Sequence, residues 1–196
     1  MGMVRAYVMK YIVDHLQGGD PPEFQTILAD FGSEAVARVE SSNRLEWMPM
    51  DFHFDIIRPI RKHLPRDAGV ELFHQIWLPL LEGPAFGTLM RGIRALGRPT
   101  PATFVKQAPR GFPFSFKDFG KIEFHERSDT SCHIDYLNVP REAFAPDVGW
   151  HVCAGGSLRC CLDLSGYEGT VEVTDVDPDA GNFRILVEWD ERRKGA

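Results

Sequence analysis

The chain has 196 residues, of which 43% are hydrophobic and 26% charged, and 22 Lys and Arg against 28 Asp and Glu give a formal charge of −6. That length and composition allow a sizeable core, and they exclude a disordered tail, a collagen-like fibre and a disulfide-rich miniprotein. The acidic balance argues against general nucleic-acid binding, which needs a basic surface to neutralise phosphates, and no apolar run reaches the ~18 residues of a membrane span. The N-terminal stretch MGMVRAYVMKYIVDHL does not read as a signal peptide, because Arg5, Lys10 and Asp14 interrupt its apolar pattern. Four cysteines, at 132, 153, 160 and 161, form no C-x-x-C pair, so a reducing cytoplasm is the expected setting.

Helical periodicity dominates the first half. Val4, Tyr7, Val8, Tyr11, Ile12 and Leu16 share one face of a helix that Gly18-Gly19 ends. Pro21-Pro22 opens a short helix with Phe24, Ile27, Leu28 and Phe31 on one side, and a third short helix runs from about Ser33 to Val39. Asp51 is placed to cap a helix carrying Phe52, Ile56, Ile60 and Leu64, with a kink expected at Pro59. The next helix starts near Asp67 and turns Val70, Phe73 and Trp77 inward until Pro79 and Gly83-Pro84 interrupt it. Phe86, Leu89, Met90, Ile93 and Leu96 form a further stripe, and Thr100-Pro101 starts a short helix to about Ala108.

The period then changes. Phe112, Phe114 and Phe116 alternate, as do Ile122 and Phe124, then Cys132, Ile134 and Tyr136, all of which read as strands. A segment rich in small residues, Pro146 to Leu164 with Ala154, Gly155, Gly156 and Ser157, reads as a helix between two hairpins. Glycine costs about 1 kcal/mol in a helix interior relative to alanine, so close packing should compensate for it. The last hairpin sets Val171 and Val173 against Phe183, Ile185, Val187 and Trp189 across the turn DPDAG. The expected architecture is a single α+β domain over residues 1–196. Its helical layer, about 3–108, packs on a small antiparallel sheet, about 112–190.

Four strings in this order carry a resemblance: WMPMDFHFDIIRPIRKHLP, LEGPAFGTLMRGIRALGRPTPATFVKQAPRGF, GWHVCAGGSLRCCLDLSG and VEVTDVDPDAGNFRILVEW. The chain resembles an uncharacterised family of myxobacterial paralogues of similar length. That family is in turn similar to the superfamily of 4-vinyl-reductase-like domains, haem-NO-binding domains and TRAPP vesicle-tethering subunits. The resemblance implies a helical layer on an antiparallel sheet, with an apolar ligand pocket or a dimer surface. Two departures matter. The last hairpin turn lacks the Cys pair usual in 4-vinyl-reductase-like domains. Tyr136-Leu137-Asn138-Val139-Pro140 lacks the Ser and Arg of the Tyr-x-Ser-x-Arg motif with which haem-NO-binding domains hold haem, so haem is not the expected cofactor.

No nucleophile elbow, phosphate loop, dinucleotide fingerprint or H-E-x-x-H helix is present. Gly83 to Lys117 carries six basic residues and no acidic one, whereas Pro140 to Asn182 carries eight acidic residues against Arg141 and Arg159. Such a split can orient two copies of a domain, so a homodimer or a related protein partner is expected, though the two segments can equally neutralise each other within one molecule. The hairpin around Ser128 has a definite register. A three-residue loop, Ser128 to Thr130, pairs Ile122 with Tyr136, Phe124 with Ile134 and Glu126 with Cys132, gathering the apolar side chains on one face. The other face then pairs His125 with His133 and Glu123 with Asp135, a set able to hold a divalent metal such as zinc. The aromatic run from Phe104 to Phe124, lidded by Phe73, Trp77 and the Phe86/Met90 stripe, marks either a solid core or an elongated pocket. In the second case Phe86, Met90, Phe112, Phe114 and Phe124 are the expected ligand contacts. Two functions follow: a non-catalytic regulatory or scaffolding module that dimerises and holds a small apolar ligand, or a metal-dependent enzyme using the His/carboxylate face.

Overall fold

The computed structural model describes residues 2–83, 86–95, 97 and 99–193, with side chains placed through Asp190. Pro84 and Leu96, which figure in the sequence reading, and Arg98, one of the six basic residues between Gly83 and Lys117, lie outside the described residues. The helical layer comprises α1 (Ala6–Gly18), α2 (Pro22–Phe31), α3 (Ser33–Ser41), α4 (Met50–His63), α5 (Arg66–Glu82), α6 (Gly87–Arg94), α7 (Pro101–Val105) and α8 (Ala108–Ser115). Three very short strands, β1 (Met3–Arg5), β2 (Trp47–Pro49) and β3 (Phe116–Lys117), form a sheet of order β2-β1-β3. A second sheet holds β4 (Lys121–Ser128), β5 (Ser131–Leu137), β6 (Tyr167–Asp177) and β7 (Asn182–Arg193) in the order β4-β5-β7-β6, antiparallel throughout. Between the two hairpins come a 3-10 turn, Arg141–Phe144, and helix α9 (Trp150–Ser165). The fold is α+β: a helical layer on an antiparallel sheet, with the small-residue helix between the hairpins.

The first strand corrects one expectation. Val4 belongs to β1, where it pairs with Met48 and Phe116, and α1 begins only at Ala6. Arg5 stacks its guanidinium over the paired Trp47 ring at 3.7 Å, which ties β1 to β2. Pro79 does not interrupt α5, which continues to Glu82. A proline near a helix C-terminus removes a single backbone bond, and Ile76 and Leu80 on either side are fully buried. Pro59 likewise sits within α4, which runs on to His63.

The larger correction concerns Phe112 and Phe114, which lie in helix α8 and not in a strand. Pro109 near the start of α8 pre-sets a helical φ, and Pro113 removes a donor that a sheet ladder would need. Phe112, in the helix, stacks at 4.9 Å on Phe116, the first residue of β3, while Phe114 points outward and is 67% exposed.

In the C-terminal sheet, alternation sorts the side chains as period two requires. Cys132, Ile134, Tyr136, Phe183, Ile185 and Val187 are buried beneath the helices. Helix α9 lies over this face and also packs against α5. Its glycines make both approaches possible. A Cβ at Gly156 would overlap the Val70 carbonyl of α5, and one at Gly155 would come 3.0 Å from Val173 Cγ2 of β6. Apolar residues from Val4 to Trp189 join one buried cluster through this crossing.

Substituting Gly156→Ala should therefore cost about 1–3 kcal/mol, the usual range for overpacking. Gly155→Ala should cost less, because a valine methyl can shift where a carbonyl cannot. Urea unfolding of the two variants measures both values.

Candidate functional site

Between α5, α6, α8 and α9 and the inner face of the sheet lies a cavity of about 120 Å³. Phe73, Trp77 and Leu81 come from α5, Phe86, Leu89 and Met90 from α6 and the residue before it, and Phe112 and Phe116 from α8 and its exit. The opposite wall is α9 with Trp150, Cys153, Ala154, Ser157, Leu158 and Cys161, and the floor is Ile122 and Tyr136. The size of the space follows from side-chain volumes. Bulky rings stand on the α5 and α8 side, and α9 answers them mostly with Cys, Ala and Ser.

Trp150 closes one end. Its ring centroid lies 4.8 Å from Phe119, 5.6 Å from Phe116, 5.7 Å from Tyr136 and 6.1 Å from Phe183, in edge-to-face arrangements throughout. Three polar side chains of the walls are already engaged. Ser115 shares a 2.7 Å hydrogen bond with Tyr7, Ser157 donates to the Ala154 carbonyl at 2.7 Å, and Gln107 accepts from Arg110 at 3.4 Å. His53, from α4, is 3% exposed, with Nδ1 3.1 Å from Met9 Sδ. Burial pushes its imidazole down to about 3, so the ring is neutral at physiological pH. Burial likewise pushes the Cys161 thiol up to about 12 and raises Cys153 further, so both line the cavity as protonated thiols and not as nucleophiles.

Of the five expected ligand contacts, Phe86, Met90 and Phe112 line this space. Phe114 is turned to solvent. Phe124, half-buried on β4, is not among the lining residues. The sequence reading missed Trp150 and His53. The signal for Trp150 was a large ring at the head of a run of small residues, and His53 gave none beyond its place on an apolar helix face.

The outer face of the sheet carries the second constellation. The observed register pairs Ile122 with Tyr136, Phe124 with Ile134, Glu126 with Cys132, His125 with His133 and Glu123 with Asp135, as the alternation requires. The register shifts between Glu126 and Ser128, so Ser128 pairs with Ser131 and the loop itself is tighter than three residues. The His125 and His133 rings stack at 4.8 Å, and both Nε2 atoms face Asp135 Oδ2, at 3.4 and 3.6 Å. Arg184 of β7 donates from Nε to Asp135 Oδ1 at 2.7 Å. Burial works against the Asp135 carboxylate, but the Arg184 bonds outweigh it and hold the group below its ordinary range. Burial, and then the Arg184 charge, lower His133. Glu123 is drawn aside by Lys121, 2.7 Å from its Oε1. The other histidines are spent locally: His63 on Asp30, His74 on Asp163, and His151 stacked on Phe144.

No family model matches the chain, and no curated protein matches it. Solved structures do. The chain is similar to an H-NOX protein from S. oneidensis in the Fe(II)NO ligation state, with a TM-score of 0.64 at 9% identity, over 95% of this chain and 99% of that one. It is also similar to the Fe(II) unliganded H-NOX protein from K. algicida, with a TM-score of 0.61 at 8% identity over 96% and 97%. A mutant H-NOX of T. tengcongensis gives 0.60 at 9% over 97% and 99%. The fold is that of the H-NOX, or haem-NO-binding, domains.

The residues present here do not fit a haem. A proximal imidazole would have to reach the cavity. The single histidine on the described walls, His53, is turned by Nδ1 onto Met9. No Arg or Lys is among the described lining residues to receive carboxylate arms. The open space is close to the roughly 150 Å³ that holds one benzene, far short of a tetrapyrrole.

The depressed His53 sets a pH dependence. The native imidazole stays neutral where the unfolded one takes up a proton near pH 6.5, so stability is complete above 6.5 and falls as pH drops toward about 3. The slope from this group is about 1.4 kcal/mol per pH unit. Urea unfolding between pH 6.5 and 5 should show stability falling as pH drops, and in His53→Leu that slope should be smaller by up to about 1.4 kcal/mol per pH unit.

Proposed function

We propose that this chain is a non-catalytic ligand-binding module that uses the H-NOX fold to hold a small apolar molecule in place of haem. The cavity carries this reading. Left empty, about 120 Å³ of apolar void costs on the order of 3 kcal/mol at the usual rate per unit volume. The lining is mostly apolar, and Ser115, Ser157 and His53 already have partners of their own, which leaves few of the two to four polar contacts a water needs. An apolar occupant gains the contacts that water forgoes. Interiors normally close to crystal density, so a space kept open by small side chains along one helix is a feature of a binding protein.

The related folds support ligand binding without fixing the ligand: those H-NOX proteins carry Fe(II), one of them with NO, and the described walls here offer neither a cation for carboxylate arms nor a free imidazole. Saturable binding of toluene by the full chain, followed by NMR shifts of the Met90 methyl and the Trp150 indole, is the expected result. Met90→Trp should fill the site and weaken binding at least tenfold while the fold persists. A folded wild type that binds no such probe has a solid core and is not this kind of module.

Self-association belongs to the same proposal. The basic run from Gly83 to Lys117 and the acidic run from Pro140 to Asn182 supply complementary fields for two copies. Light scattering at tens of micromolar should give twice the chain mass at low salt and less as salt rises. A monomer at low salt removes this part of the reading.

A further inference from the structure

We propose that the outer face of the sheet is a binding site for a borderline transition-metal dication such as zinc, with His125 Nε2, His133 Nε2 and Asp135 Oδ2 as ligands. It lies on the opposite side of the sheet from the aromatic cavity and stands or falls independently of it.

The register is the first support. His125 and His133 are directly paired, and Asp135 is two residues along β5 on the same face, so all three project from a rigid ladder and not from a loop. The three donor atoms lie within 4.8 Å of one another. Zinc bound at about 2.0–2.1 Å in tetrahedral geometry needs donors roughly 3.3 Å apart. The separations from Asp135 Oδ2 to the two imidazoles, 3.4 and 3.6 Å, already meet that spacing.

The imidazoles are already turned toward the carboxylate. Nε2 of His133, a ring only 14% exposed at its side chain, lies 3.6 Å from Asp135 Oδ2, and His125 Nε2 lies 3.4 Å from the same oxygen. Coordination through Nε2 would leave the ring proton of His133 on its buried Nδ1. Asp135 is oriented as a ligand should be. Arg184 grips both oxygens, with Nε on Oδ1 at 2.7 Å and Nη2 on Oδ2 at 3.3 Å, and so holds Oδ2 toward the two imidazoles, the arrangement by which an outer residue fixes a coordinating carboxylate. Two imidazoles and one carboxylate suit zinc and its first-row neighbours, and a calcium or magnesium site would need more oxygens. Glu123, held by Lys121, stays outside the ligand set, and the remaining coordination positions open to water.

Zinc alone is the probe. Competition with a chromogenic chelator at pH 7.5, using the full chain, should give one zinc per chain, undisturbed by millimolar magnesium. His125 is 45% exposed, so His125→Ala should remain folded and bind at least tenfold more weakly, and Asp135→Asn should weaken binding similarly. In His63→Ala, which removes an unrelated surface imidazole, binding should be unchanged. NMR should show the His125 and His133 imidazole signals, and not the cysteine ones, moving on zinc addition. A wild type that takes up no stoichiometric zinc, a His125→Ala variant that binds as tightly as the wild type, or shifts confined to the cysteines would each overturn the assignment.

Discussion

The crossing of α9 over α5 governs the interior. Gly156 brings the α9 backbone against the Val70 carbonyl, and Gly155 brings the same helix down onto Val173 of the sheet. A helix held this closely on two sides leaves little freedom to its neighbours. Trp150, at its N-terminal end, is driven into the ring cluster of Phe116, Phe119, Tyr136 and Phe183. Cys153, Ala154, Ser157 and Cys161 are left facing the rings of α5 and α8 across a gap that they are too small to fill. Closeness at the glycines and openness beside them are one packing decision, because the helix cannot move nearer to the rings while its backbone rests on Val70.

How much of this was legible in the sequence depended on the range of the interactions. The β4-β5 register could be read because each slip of one residue would exchange the apolar and polar faces, so the pattern allows a single answer. The last hairpin was legible for the same reason, with Phe183, Ile185 and Val187 all inward. Phe112 and Phe114 were misread because apolar residues spaced by two over five positions also fit a helical turn with one side chain outward. Pro109 and Pro113 were the evidence for the helix. Strands β1 and β2, three residues each, hold no periodicity at all, and they exist because Val4 meets Met48 and Phe116 from distant parts of the chain. The cavity is a similar case. Phe86 and Met90 declared themselves by helical spacing, but the void needs the small residues of α9 opposite them, a juxtaposition only the fold creates.

The likeness to H-NOX structures shows which features belong to the fold and which to the lining. The overall fold persists at about a tenth identity. The walls of this cavity are mostly apolar, and their single described histidine is turned onto Met9. A fold fixes where a ligand can sit, and the wall chemistry fixes what it can be. An apolar wall around a small space selects by size and shape, with little power to separate similar apolar molecules, since one methylene is worth only about 1–3 kcal/mol.

Both candidate sites depend on strand β5. Tyr136 lines the cavity, and Asp135, one residue earlier, faces the two histidines, so a slip of one residue would destroy both sites together. The irregularities of the sheet fall where they do no harm to this strand. The β4-β5 shift comes between Glu126 and Ser128, beyond the His125–His133 pair, and the β6-β7 shifts come at the two ends of that ladder. From Ser131 to Tyr136 the pairing with β7 runs without a break. Flanked on both sides, β5 cannot exchange its faces without breaking two ladders, each a row of hydrogen bonds buried on one side, where an unmade bond costs about 1–3 kcal/mol. The dry face and the wet face of this sheet are thereby held in fixed relation by backbone pairing alone, and the two sets of side chains can differ completely in chemistry while standing on the same few residues.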